Sequence, residues 1–228
     1  MEIKKNLKYF SEKIPKEVTL VAVSKTKPES DILLAYSAGQ KIFGENKAQE
    51  LINKQPNLPQ DIQWHFIGHM QTNKVKYIAP FVSLIESIDS LKLLKEINKQ
   101  ALKNNRTIDC LLQFHIASEQ TKFGLDYEEA QEILDSDAFK EMNNIRICGV
   151  MGMATFTQDK SVVREEFKNL KKIFDKVKKE YFFEKDYFKD ISMGMSGDYK
   201  IAIEEGSTII RIGSAIFGER NYTHFSSS

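Results

Sequence analysis

Residues 20 to 30 read LVAVSKTKPES, in which four apolar residues are followed directly by polar residues that include Lys25. Side chains alternate along a strand, so Val21, Val23 and Lys25 would share one face. If the valines pack inside the protein, the Lys25 amine points into the same interior. Burial lowers the pKa of an ammonium, and the neutral amine can attack an aldehyde to form a Schiff base. Lys25 is therefore a candidate nucleophile.

The same stretch also permits a plainer interpretation of Lys25. The strand could end at Val23 and leave Lys25 as a solvated loop residue, and surface lysines far outnumber buried ones. On this stretch alone, the loop interpretation is favoured. Lys27, next to Pro28, is interpreted as a loop cation.

Two stretches near the carboxyl terminus, SMGMSGDY (192–199) and RIGSAIFG (211–218), are rich in glycine and serine. Such stretches bind phosphate when backbone N–H groups converge on the anion and glycine allows it to approach closely. Ser196 could donate its hydroxyl, and Gly213 and Ser214 their backbone amides. In either stretch alone, the glycines could instead serve a tight turn between a strand and a helix.

Arg211 begins the second of these stretches and would share a strand face with Ile209 and Gly213. A guanidinium on that face could hold an anion or donate a hydrogen bond to an uncharged ring nitrogen. Because it stays protonated at any working pH, it cannot pass a proton to that nitrogen. The alternative is an arginine with a structural or surface role.

The elements that would position these residues alternate between β-prone runs and segments of helical periodicity. Helix start signals include Pro28 in a first turn and Asp126 with Glu129 in a capping box. Strands that alternate with helices pair in parallel, and eight units in this length predict a (β/α)8 TIM barrel of class α/β. The second choice, an open doubly wound sheet, would carry a G-x-G-x-x-G after the first strand, which is absent from the sequence. The eight runs span 19–24, 41–45, 62–68, 83–88, 108–116, 145–152, 187–193 and 208–213.

A barrel places its active site at the carboxyl ends of its strands. Lys25 follows the first run, and the glycine- and serine-rich stretches follow the last two, where barrels often bind phosphate. Since both stretches occur at the expected strand ends, phosphate binding becomes the better interpretation.

The composition is typical of one intracellular domain. The 228 residues, 41% of them hydrophobic, can bury one large core, so residues 1–228 are expected to form a single domain with a loose tail at 223–228. A formal net charge of +1 without a basic tract argues against nucleic acid as the main partner. No apolar stretch approaches the length of a membrane span. Cys110 and Cys148 form no C-x-x-C pair, so we expect no disulfide framework, no zinc site and a cytoplasmic location.

Five motifs in order closely resemble the pyridoxal 5′-phosphate homeostasis proteins of the proline-synthase co-transcribed type. The motifs are VAVSKTKP, FGENKAQE, WHFIGHMQTNK, SMGMSGDY and RIGSAIFGER. The resemblance extends from about Val21 to Arg220. It implies a single (β/α)8 barrel similar to the amino-terminal domain of alanine racemase, with pyridoxal 5′-phosphate (PLP) bound as an aldimine.

The resemblance also implies which residues bind the cofactor. Lys25, the first lysine of SKTKP, would be the Schiff-base residue, and this reverses the preference for the loop interpretation. Ser196, Gly213 and Ser214 would surround the phosphate, and Arg211 would face the pyridine nitrogen.

The lining of the cofactor cavity is less defined by the motifs. Asn46 of FGEN would contribute to it. Segment 113–125 has His115 and Ala117 where relatives would carry more asparagine-like residues, and segment 149–156 is a local variant. These departures involve neither the Schiff base nor the phosphate contacts.

An arginine at the ring nitrogen weakens PLP as an electron sink, which argues against transaminase or decarboxylase activity. Racemisation needs an acid/base group on each face of the aldimine, and Lys25 supplies one. Alanine racemase takes the other, a tyrosine, from a second domain for which this chain has no length left. His69 and Tyr199 have no sequence feature that assigns them the role, and His65 and His69 are interpreted as one packed and one loop histidine rather than metal ligands.

We therefore expect a cytoplasmic monomer that binds PLP reversibly and acts in PLP and amino-acid homeostasis without robust enzymatic turnover. PLP-dependent apo-enzymes are candidate partners. Two alternatives stay open: a PLP-dependent amino-acid racemase, and a cofactor-free Schiff-base aldolase that acts on a sugar phosphate.

Overall fold

The computed structural model describes residues 2–118 and 123–219. Within these ranges, eight parallel strands form a closed barrel in which β8 pairs with β1. The predicted (β/α)8 barrel is therefore confirmed, and each predicted run contains one strand. The tail predicted at 223–228 lies outside the described residues. The strands are β1 Thr19–Val23, β2 Ile42–Glu45, β3 Gln63–Phe66, β4 Leu84–Ile88, β5 Ile108–Phe114, β6 Ile145–Gly152, β7 Asp190–Ser192 and β8 Ile209–Ile212.

Helices fill the connections between the strands and cover the outside of the barrel. None of those in the described ranges is both long and apolar enough to cross a bilayer. Short 3-10 turns at Gln55–Asn57 and Thr72–Lys74 accompany them. The α-helices are α1 Glu2–Lys13, α2 Glu29–Ser37, α3 Ala48–Lys54, α4 Val75–Ile78, α5 Leu91–Lys103, α6 Tyr127–Asp135, α7 Asp137–Lys140, α8 Lys160–Tyr181, α9 Tyr199–Glu204 and α10 Ser214–Phe217.

Two apolar layers hold the barrel together, one inside the ring of strands and one between the strands and the helices. The division follows the alternation of side chains along each strand, as β1 shows: Val21 belongs to the inner layer and Ala22 to the outer one. The inner layer is small and consists of Val21, Leu84, Leu111, Cys148, Met151 and Ile209. Because the inner layer is small, the barrel interior has room for polar side chains.

The helix start signals were predicted with mixed success. Asp126 and Glu129 form the predicted capping box at the start of α6, with each side chain accepting the other residue's backbone N–H. Pro28 is the N-cap of α2 rather than a residue of its first turn. This one-position difference arises because Pro28 keeps an extended backbone, with ψ of 161°, and the helix begins only at Glu29.

Candidate functional site

Lys25 lies in a tight turn that follows β1. The strand ends at Val23, the Ser24 N–H donates to Gly44 O, and the Lys27 N–H donates to Ser24 O, both at 3.0 Å. The strand therefore ends where the loop interpretation placed it, and alternation along the strand does not extend to Lys25. Nevertheless, Lys25 is half-buried rather than exposed.

Lys27 is more than a loop cation. Its Nζ donates to Phe217 O at 3.0 Å and to Glu219 O at 2.9 Å, at the carboxyl end of α10. The turn after β1 is thereby tied to the loop after β8. These contacts leave Lys27 half-buried, with its ammonium bound to the last carbonyl of α10 and to a carbonyl of the segment that follows.

The predicted phosphate residues come together beside β1. The pairing of β1 with β8 brings the two strand ends side by side, and a Cβ added at Gly213 would lie 3.3 Å from Val23 O. The loop after β7 reaches the same place, because the Ala215 N–H donates to Ser196 Oγ at 3.5 Å. Lys25 follows Val23 by two residues, so its Cα lies no more than about 7 Å from that of Val23.

Asn46 follows β2 and is half-buried. It lines a cavity of about 280 Å³ with residues that include His69 and Lys74. Gly68 packs directly on its backbone, since a Cβ at position 68 would lie 2.1 Å from Asn46 O. The loops after β2 and β3 are therefore fixed to each other at the rim of the barrel.

Arg211 is buried inside the barrel, only 4% exposed, in a hydrogen-bonded network that crosses the interior. One of its terminal nitrogens donates to Ser192 Oγ at 2.5 Å and the other to Gly152 O at 3.1 Å. Ser192 Oγ donates to Glu86 Oε2 at 2.5 Å, and His65 Nδ1 lies 2.7 Å from Glu86 Oε1. The network thus joins strands β3, β4, β6, β7 and β8.

The residues of this network shift one another's pKa values. Burial would raise the pKa of the Glu86 carboxyl, but the hydrogen bond from His65 and the electrostatic interactions with His65 and Arg211 outweigh burial, and the pKa is lowered. Burial lowers the pKa of Arg211, while the Glu86 charge opposes this effect. Glu86 is therefore a carboxylate and Arg211 a cation at neutral pH.

Sequence reasoning missed Glu86 and Ser192 as part of the site. The signal was present, because Glu86 lies at the centre of the apolar run SLIESI on the same strand face as Leu84, which belongs to the inner layer. A charged residue at an inward position of a barrel strand needs a partner. His65, interpreted as a packed histidine, is packed and also contacts Glu86 through its Nδ1.

The other histidines and Tyr199 lie in different surroundings. His69 binds Asp89 at 3.1 Å and stacks on Phe123, with ring centroids 4.6 Å apart. Tyr199 is buried against Phe10 of α1, with centroids 5.6 Å apart, and so lies in the outer layer. His115 follows β5 and is half-buried. Across the described ranges, no three His, Cys, Asp or Glu side chains are grouped to hold a metal ion.

These residues fit the chemistry of PLP. The end of β1 offers an amine for its aldehyde, and the loops after β7 and β8 offer hydroxyl and amide donors for its phosphate. Arg211, a buried cation on β8, offers N–H donors for its ring nitrogen. When bound, PLP supplies an electrophilic aldehyde and a conjugated ring that can accept electrons.

Comparisons with known proteins decide the family. A family model described as the alanine racemase N-terminal domain matches residues 1–221. A pyridoxal phosphate homeostasis protein from Aquifex aeolicus is 40% identical over 204 residues, which is 89% of this chain and 87% of that protein. The chain belongs to the pyridoxal phosphate homeostasis proteins, within the alanine racemase N-terminal domain family. The family resemblance drawn from the five motifs is therefore confirmed.

Solved structures agree with this membership. PipY from Synechococcus elongatus, solved with PLP bound, matches with a TM-score of 0.85 and 30% identity over 95% of this chain and all of that one (100%). That structure agrees with the expected cofactor of the pyridoxal phosphate homeostasis proteins. An alanine racemase from Clostridium difficile matches with a TM-score of 0.77 at 16% identity and is covered over 60% of its length, which supports the barrel fold alone.

Proposed function

We propose that this chain binds PLP reversibly through a Schiff base on Lys25 and acts in the PLP and amino-acid homeostasis of the cell. The observation that carries the proposal is the meeting of β1 and β8, where Gly213 packs on Val23 beside the Lys25 turn. The names of the relatives support the homeostasis role. The PLP in the PipY structure supports the cofactor.

The proposed covalent step uses the neutral amine of Lys25. Its nitrogen attacks the aldehyde carbon, a C=N bond forms, and the aldehyde oxygen leaves as water. Hydrolysis reverses each change and releases the cofactor. Ser196, Gly213 and Ser214 hold the phosphate through a hydroxyl and backbone amides.

We further propose that the bound cofactor undergoes no robust catalytic turnover. Arg211 stays protonated and gives the ring nitrogen a hydrogen bond but no proton, which keeps the ring a weak electron sink. Asn46 contributes to the lining of the proposed cofactor cavity. A racemase is the alternative, but it needs a second acid/base group, and Tyr199 packs in the outer layer.

The first prediction concerns the Schiff-base residue. The purified protein should be yellow, and borohydride should fix PLP to the wild-type chain but not to Lys25→Ala, because the proposed Schiff base forms on the Lys25 amine and the Lys27 amine is occupied by Phe217 O and Glu219 O. Peptide mass spectrometry locates the label. Lys27→Arg is the matched control, since it keeps the donors to Phe217 O and Glu219 O but cannot form a stable Schiff base. Equal labelling of Lys25→Ala and wild type would refute the assignment.

The same preparation distinguishes the alternatives. A racemase would exchange the α-proton of free alanine with deuterated solvent, which proton NMR detects. A cofactor-free aldolase would leave the protein colourless, and borohydride would fix a sugar phosphate to it instead. Either result would replace the proposed function.

We also propose that residues 1–228 form one domain, and that the chain works as a cytoplasmic monomer that passes PLP to apo-enzymes. The matched PipY chain is covered over its whole length by this one barrel, which supports the single domain. Transfer can be tested by mixing the loaded protein with an apo-enzyme while a second protein traps free PLP. Loss of all transfer in the presence of the trap would exclude direct delivery.

A further inference from the structure

The turn that carries Lys25 contains a strained residue. Ser24 to Lys27 form a β-turn closed by the Lys27 N–H on Ser24 O at 3.0 Å, with Lys25 and Thr26 at the central positions. Thr26 has a φ of +65°, a left-handed conformation that a β-branched side chain rarely adopts. Glycine or asparagine normally occupies a turn position with positive φ. Something outside the turn must therefore hold Thr26 in place.

Both neighbours of Lys25 are held by helix α3. Glu50 Oε1 accepts the Thr26 N–H at 2.6 Å, and Lys54 Nζ donates to Ser24 O at 3.0 Å. Glu50 and Lys54 also bind each other at 2.6 Å, one helical turn apart. The backbone on each side of Lys25 is therefore attached to the same ion pair.

The ion pair is itself anchored in the protein interior. The Lys54 side chain is only 9% exposed and the Glu45 side chain is fully buried (0%). Glu45 Oε1 accepts from Lys54 Nζ at 2.8 Å and from Ser24 Oγ at 2.6 Å. Buried charges that share hydrogen bonds have few alternative arrangements, so this cluster resists displacement.

We propose that Glu50 and Lys54 are positioning residues, which hold the strained turn so that the Lys25 amine is presented to the cofactor. The proposal rests on the proposed PLP binding at Lys25. Glu50 keeps Thr26 left-handed, and Lys54 fixes Ser24. Without them the turn relaxes, the binding-competent state becomes less populated, and the apparent affinity falls in proportion.

The second prediction tests this arrangement with four variants. Glu50→Ala should weaken PLP binding roughly tenfold, because the strained turn loses its acceptor. Glu50→Gln should recover part of the loss, since its amide oxygen can still accept the residue 26 N–H. Thr26→Gly should bind like wild type, and Glu50→Ala with Thr26→Gly should recover most of the affinity, because glycine adopts positive φ without strain. Absorbance titration with PLP measures each affinity.

A second measurement uses the cofactor-free protein. Amide hydrogen exchange of residue 26, followed by NMR, should accelerate in Glu50→Ala relative to wild type. Asp61→Ala, which removes an exposed carboxylate paired with Lys41, should change neither the exchange nor the affinity. The proposal is overturned if Glu50→Ala binds PLP like wild type, if Thr26→Gly fails to rescue it, or if the exchange is unchanged. Failure of wild type to bind PLP would refute the proposed function instead, and the exchange result alone would then decide whether Glu50 holds the turn.

Discussion

Glu86 and Arg211 form an uncommon feature for the interior of a small barrel, because such interiors are usually filled by branched apolar side chains. Ser192 lies between the two charges, and the closest approach of Arg211 to Glu86 Oε2 is 3.7 Å. A buried ion pair of this kind costs desolvation energy when it forms, so it contributes little net stability. Its value lies in fixing the direction of the guanidinium, which the proposed contact with the ring nitrogen requires.

The third prediction removes the Glu86 charge. Glu86→Gln leaves Arg211 as a buried cation without its counter-charge and should lower the free energy of unfolding at pH 7 by about 3 kcal/mol. Urea denaturation measures the change. Glu184→Gln, at an exposed position, is the control and should stay within about 0.5 kcal/mol of wild type.

The pH dependence of this loss follows from the lowered pKa of Glu86. A carboxyl with a lowered pKa in the folded state adds stability above its ordinary value of 4.5, and that stability disappears as pH falls through the folded pKa. The difference between wild type and Glu86→Gln should therefore shrink below about pH 4.5. A difference that stays constant down to pH 3 would contradict the charge argument.

At the scale of the elements, the loops at the barrel mouth are fixed by close backbone contacts. The contact of Gly68 with Asn46 leaves no space for a side chain, whereas nothing lies within 4 Å of a Cβ at Gly197. These two glycines therefore provide a matched pair in loops on the same face of the barrel.

The fourth prediction compares the two positions. Gly68→Ala should lower the free energy of unfolding by about 1–3 kcal/mol, because the new methyl group forces the loops after β2 and β3 apart. Gly197→Ala should be neutral or stabilising by about 0.4–1 kcal/mol, because alanine reduces the entropy of the unfolded chain. Urea denaturation measures the free energy of unfolding of each variant, and an equal effect of both substitutions would count against the packing argument.

The strands could be predicted from the sequence because each is a local apolar run, and the Asp126 capping box could be predicted because its contacts span three residues. The end of β1 could not be located so well. Lys25 and Val23 are separated only by Ser24, and the turn that follows the strand is bound by Glu50 and Lys54 of α3, which the local sequence does not reveal. The predicted start of α2 differed by one position. The fixed φ of Pro28 is compatible both with an N-cap and with a first-turn position, so the sequence did not distinguish the two.

For the whole molecule, the order of the strands was enough to bring the predicted phosphate residues near Lys25. The side-chain partners inside the barrel were not predictable in this way. Ser192 and Glu86 are 106 residues apart in sequence, and neither run shows which opposing strand its side chain will face. The strand pattern and the family motifs both indicated Lys25 and Arg211, but neither indicated that Glu50 would bind the Lys25 turn or that Ser192 would bind Arg211.

The fifth prediction concerns the stability of the whole chain with its ligand. PLP at 100 times its dissociation constant should stabilise the folded state by about 2.7 kcal/mol, which corresponds to a rise in Tm of roughly 5–10 °C. Differential scanning fluorimetry measures the shift. Pyridoxal without the phosphate should produce a much smaller one, and so should PLP added to Lys25→Ala. Equal shifts from pyridoxal and PLP would contradict the assignment of the phosphate loops.

The seam between β1 and β8 joins the first and last strands of the described barrel, and Lys27 reinforces it by binding Phe217 O and Glu219 O. Lys27 and Glu219 are 192 residues apart in sequence. A ribosome therefore synthesises the turn after β1 long before the loop after β8. A chain truncated before β8 would carry Lys25 without the loops after β7 and β8 that are proposed to hold the phosphate. The proposed capture of PLP would therefore begin only after β8 and the loop that follows it have been synthesised.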